Sequence, residues 1–123
     1  MISVMDEELF DALRRQNPRY EDAAYVFVLS ALNFVIERLP EPRHITGREL
    51  AEGLRDHALE RFGPMARTVL EHWGILETAD VGHIVFALVN AGVLIKQDDD
   101  SPTDFEGVFD FDEAFALRYP PRS

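Results

Sequence analysis

Residues 92–113 read GVLIKQDDDSPTDFEGVFDFDE, and the reading of this stretch sets the fold class. Val93 to Gln97 and Gly107 to Asp112 are two short β-prone runs, separated by a polar segment containing Pro102. In the second run Phe109 and Phe111 alternate with Asp110 and Asp112. A period of two puts aromatic rings on one strand face and carboxylates on the other. The stretch is therefore expected to form a β-hairpin, with Phe109 and Phe111, joined by Phe105 and Phe115, on its inner face. Its outer face and tip would carry the eight carboxylates between Asp98 and Glu113, with no base among them.

Upstream of Gly92 the apolar period is helical. Thr78 is placed to cap a helix over ADVGHIVFALVNA, which Gly92 closes, and the preceding helix, about Pro64 to Trp73, ends at Gly74. Trp73 is expected to be buried between these two. Thr46 and Glu49 in "TGRE" form a capping box, followed by Leu50, Leu54, Ala58, Leu59 and Phe62 at helical spacing. Further upstream, a helix from about Glu21 to Leu39 is apolar around most of its circumference and should sit centrally. A first short helix starts at Ser3 and stops near Asn17-Pro18.

Three helices followed by a hairpin, from Thr46 to Asp112, resemble a winged-helix unit. The expected fold class is thus mainly α with a small C-terminal β-hairpin, a winged-helix-like three-helix unit plus N-terminal helices. One domain covers residues 1–123: a helical extension over 1–45, the winged-helix-like helices and acidic hairpin over 46–115, and a tail over 116–123.

Charge and composition exclude several functions. Twenty-three Asp and Glu oppose twelve Lys and Arg, a formal net charge of −11. That field repels nucleic acid and anionic lipid and favours a protein partner with a basic surface. DNA recognition is not expected: Thr78 to Ala91 contains no Arg or Lys, and the wing would carry only acids. The absence of cysteine excludes disulfides, thiol catalysis and Cys-based zinc sites. The most apolar run, Ala23 to Ile36, is shorter than the roughly 20 residues a membrane span needs. The N-terminal residues lack the pattern of a signal peptide, so a cytoplasmic protein is expected.

No residue set stands out as catalytic, cofactor-binding or metal-ligating. A calcium loop starting at Asp98 would place Pro102 at its fifth position and Thr103 where glycine is required. Paired-carboxylate catalysis needs one acid desolvated, which a solvated hairpin does not supply. His44, His57, His72 and His83 include no i, i+4 pair; Asp80 and His83 lie at i, i+3, which suits one hydrogen bond or half of a ligand set. Glu49, Glu52, Asp56 and Glu60, interleaved with Arg48, Arg55 and Arg61, read as a salt-bridged solvent face. Gly53 and Gly82 fall inside helices at a cost of about 1 kcal/mol each relative to alanine, which close approach of a neighbouring group would explain.

The stretches RHITGRELAEGLRDHALERFGPMARTVLEHWGI and VGHIVFALVNAGVLIKQDDDSPTDFEGVFDFDEAF, within roughly Tyr20 to Phe115, resemble an uncharacterised bacterial repeat-protein family found mainly in planctomycete and verrucomicrobial genomes. The resemblance implies no activity and transfers no site residue. The expectation is a non-enzymatic protein-interaction or regulatory module that needs no cofactor. Phe105 is the candidate apolar anchor, with Asp98, Asp99, Asp100, Asp104 and Glu106 around it. Two alternatives remain: a carboxylate-dependent enzyme or metal-dependent hydrolase using acids from Asp98 to Glu113 with Asp80 or His83, and an acidic decoy of a basic nucleic-acid-binding surface.

Overall fold

Asp104 and Asp110, expected on a strand-rich hairpin, instead cap helical turns. The computed structural model describes residues 7–116, and among these no residue is in a β-strand. The helices are α1 (Glu7–Gln16), α2 (Asp22–Glu37), α3 (Gly47–Phe62), α4 (Ala66–His72), α5 (Thr78–Asn90) and α6 (Phe111–Ala114). Short 3-10 turns occupy Gly63–Met65 and Pro102–Phe105. The first-helix start at Ser3 and the tail from Leu117 lie outside the described residues.

The expected hairpin, and with it the wing, is corrected to two capped turns. Asp104 accepts a hydrogen bond from the Ser101 N–H at 3.0 Å while Ser101 Oγ accepts from the Thr103 N–H at 3.3 Å, which closes the Pro102–Phe105 turn. Asp110 Oδ1 accepts from the Asp112 N–H at 2.8 Å and starts α6. These caps satisfy backbone donors that a hairpin ladder would otherwise have used. The alternating aromatics do meet, with Phe109 stacked on Phe111 at 5.7 Å. They do so because Phe109 precedes a helical turn on which Phe111 and Phe115, i and i+4, lie 5.0 Å apart. A four-residue alternation is compatible with either geometry, and tertiary packing selected the second.

The helical expectations hold more closely. Thr46 Oγ1 accepts from the Glu49 N–H at 3.0 Å and Glu49 accepts from the Thr46 N–H at 2.9 Å, the capping box of α3. Arg43 grips the same carboxylate with both guanidinium nitrogens at 3.0 and 2.8 Å. This ion pair, with the Thr46 backbone bond, lowers the Glu49 pKa to about 2. A carboxyl depressed from 4.5 contributes stability above pH 4.5 that is lost as pH falls toward 2. Glu49→Gln should therefore destabilise at neutral pH, and the difference from the parent should shrink in melts taken down through that window. The other acids of α3 pair at the surface: Arg48 with Glu52 at 3.3 Å, Arg55 with Asp56 at 2.9 Å, and Glu60 with Arg38 beyond the end of α2 at 3.8 Å.

Helix α2 packs against both α3 and α5 and buries Ala24, Tyr25, Phe27, Val28 and Ala31. The helical glycines explain the close approach. A Cβ on Gly53 would sit 2.1 Å from a Val35 methyl, and one on Gly82 would sit 2.9 Å from the Phe105 side chain. Central burial of α2 is incomplete, however, because Val26 is 48% and Ile36 44% exposed. Trp73 is half-buried, not fully buried, and its ring lies with Phe27 of α2 at 5.4 Å and Phe62 of α3 at 5.8 Å. Its carbonyl accepts from the Glu21 N–H at 3.1 Å, and Gly74, at φ +97°, turns the chain against the Arg19 carbonyl where no Cβ would fit.

Candidate binding groove

Phe105, the candidate anchor whose exposure the sequence leaves open, is buried at 4% exposure and packs into the domain's own core. Its ring lies over Gly47 of α3 and Gly82 of α5, each close enough that a Cβ would be crowded to 3.0 Å or less. The Thr78 hydroxyl donates to the Phe105 carbonyl at 2.6 Å and accepts from the Val108 N–H at 3.2 Å. Thr78 thus ties this segment to the start of α5, where Glu77 occupies the capping position. Phe105 pins residues 95–110 across the ends of two helices and forms part of the floor of a groove.

That groove has a volume of about 250 Å³. Leu32 and Ile36 of α2 form one wall, and Val85, Phe86 and Val89 of α5 the other. Ile45, Leu50, Leu94 and Ile95 complete the apolar lining, Ile95 with 90% of its surface exposed. The polar rim is Arg43, His44, Thr46, Lys96, Asp100 and Asp104. His44 Nε2 lies 3.1 Å from Asp100 Oδ1, and Asp100 Oδ2 accepts from the Gln97 N–H at 2.7 Å. The Lys96 ammonium donates to the Gln97 carbonyl at 3.1 Å. Of the acids singled out from the sequence, Asp100 and Asp104 line the groove, while Asp98, Asp99 and Glu106 are exposed beyond them.

Residues 32, 36, 85, 86, 89 and 95 were not distinguishable as site residues by pattern, since each reads as core. The available signal was a surplus: α2 and α5 are apolar around more of their surface than the remaining helices cover.

Asp80 occupies a separate, closed network. Its side chain is 0% exposed. Oδ1 accepts from the Tyr20 hydroxyl at 2.5 Å and from the Arg19 guanidinium, and Oδ2 from the Leu76 and Glu77 N–H groups at 2.8 and 3.1 Å. His83 Nδ1 is 3.0 Å from the same Tyr20 hydroxyl. Burial pushes the Tyr20 pKa up to about 12, so the phenol stays protonated as the donor this geometry requires. The carboxylate joins the α1–α2 loop to the start of α5 and is saturated with donors.

His57 is buried between Phe27, parallel at 5.0 Å, and Phe34 at 4.7 Å. Its Nε2 lies 2.8 Å from Ser30 Oγ, and its Nδ1 has no hydrogen-bond partner. A serine and histidine at this distance suggest an activated nucleophile, but that chemistry needs a third group orienting the imidazole. None is present among the described residues, and burial lowers the His57 pKa, keeping the ring neutral. Among the described residues no group of three or more His, Asp or Glu side chains is placed to hold a metal ion. No described helix is long and apolar enough to cross a membrane.

No family model matches the chain, and none of the curated proteins or solved structures matches it.

Proposed function

We propose that this chain is a cytoplasmic, non-enzymatic protein-interaction module whose binding surface is the groove between α2 and α5. One observation carries the reading: an apolar groove of about 250 Å³ opens beside an isoleucine that is 90% exposed. Apolar surface left in water is unfavourable by about 25 cal/mol per Å², and a rimmed apolar depression is the usual receptor for an anchor side chain. Asp80, the most buried acid, spends its lone pairs on structural donors, so it is a poor candidate for acid–base work. The resemblance to the bacterial repeat-protein family rests on the sequence stretches quoted above alone and adds no activity to this reading.

Site-specific photocrosslinking tests the proposal. A photoreactive residue at position 95, introduced in cells of the source organism, should yield a discrete protein adduct. The same residue at position 65, an exposed methionine away from the groove lining, should not. Equal labelling from both positions, or no protein adduct from position 95, would overturn the assignment.

A further inference from the structure

We infer that the groove receives a single amphipathic α-helix of net positive charge, supplied by another protein. The inference rests on the interaction reading above and names the class of partner. Peptides are taken up by folded domains in a few ways, and the structure bears on each. Strand addition needs an open sheet edge, and no strand exists among the described residues. Polyproline recognition needs a groove lined by several exposed aromatics, whereas here Phe86 is the one partly exposed phenylalanine in the lining and Phe105 is buried. A helix laid in a groove needs apolar side chains contributed by two neighbouring elements over more than one turn. Leu32 and Ile36 on α2 and Val85 and Val89 on α5 line the groove, each pair at i, i+4. An incoming helix would sit as a third member of the layer, its own i, i+3/i+4, i+7 residues filling the groove and contacting Ile95.

Charge selects the sign of the partner. At the rim Arg43 is neutralised by Glu49, and His44 is engaged with Asp100. Of the other charged lining residues Lys96 is matched by Asp104, and the acidic excess lies just outside the groove, at the exposed Asp98 and Asp99. The whole chain adds a net charge of −11. That field accelerates the approach of a basic segment and slows that of an acidic one. It also opposes a second copy of this chain, which would bring the same charge to the same face.

A display selection of random linear 16-residue peptides tests the inference, with the parent protein as target and Ile95→Asp as the counter-target. Ile95 is almost wholly exposed, so the variant should keep its helical circular dichroism. Selected peptides should carry apolar residues at i, i+3/i+4 and i+7 with an excess of Lys and Arg. They should bind Ile95→Asp and Val89→Asp at least tenfold more weakly, and Asp98→Asn/Asp99→Asn should slow their association and flatten its salt dependence. Enrichment of extended, proline-rich or acidic peptides that still depend on Ile95 would sink the basic-helix class while leaving the interaction reading intact. No enrichment over the counter-target, together with no crosslink from position 95, would sink both. If instead the parent sediments as a dimer that Ile95→Asp dissociates, the occupant is a second copy and the inference is wrong.

Discussion

Phe105→Ala should destabilise the fold by about 3–5 kcal/mol, the cost of emptying a buried aromatic site. The expectation follows from where the ring lies, clamped over Gly47 and Gly82 with its own carbonyl bound by Thr78. Denaturant melts read the loss directly. The neighbouring glycine gives a sharper check. Gly82→Ala alone should cost about 1–3 kcal/mol, because its Cβ would press on the ring at 2.9 Å. In the Phe105→Ala background the ring atoms are gone but the Cβ of residue 105 stays 2.9 Å from the new methyl. The same substitution should therefore cost less than in the parent without becoming favourable. Additive effects would show that the ring does not sit over the glycine.

The second large effect is expected at Asp80. Asp80→Ala leaves the Leu76 and Glu77 N–H groups without their acceptor and the Tyr20 hydroxyl with His83 Nδ1 alone, for a cost of about 2–4 kcal/mol. Arg19 should contribute little of this. Its side chain is 54% exposed and rehydrates when the carboxylate is removed, so Arg19→Ala should cost under about 1 kcal/mol. Tyr20→Phe should fall between the two. If Arg19→Ala proved as costly as Asp80→Ala, charge pairing and not hydrogen-bond satisfaction would hold the α1–α2 loop to α5.

The two sites differ in how far sequence could reach them. Asp80 and His83 were visible as an i, i+3 pair suited to a single hydrogen bond, yet Tyr20, the group that bridges them, lies sixty positions from Asp80. Phe105 was visible as an aromatic outside the Phe109/Phe111 alternation. Nothing local told whether it faced water or the core, because the deciding partners are two glycines on separate helices. The groove was legible only as excess apolar surface on α2 and α5.

Local chemistry determined the helices by itself. The Thr46–Glu49 box, the left-handed glycines at 63, 74 and 92, and Pro18 act within a few residues, so their effect needs no tertiary context. The acidic excess and the lack of cysteine are likewise properties of the chain. The path of residues 95–116 was decided by tertiary structure. Alternation over Phe109 to Asp112 is too short to choose between a strand and a capped turn. The choice went to the conformation that buries Phe105, Phe111 and Phe115 while Asp104 and Asp110 satisfy backbone donors locally. A hairpin needs a partner strand at a matching register. A capped turn needs only its own aspartate and a surface of glycines on which a ring can rest.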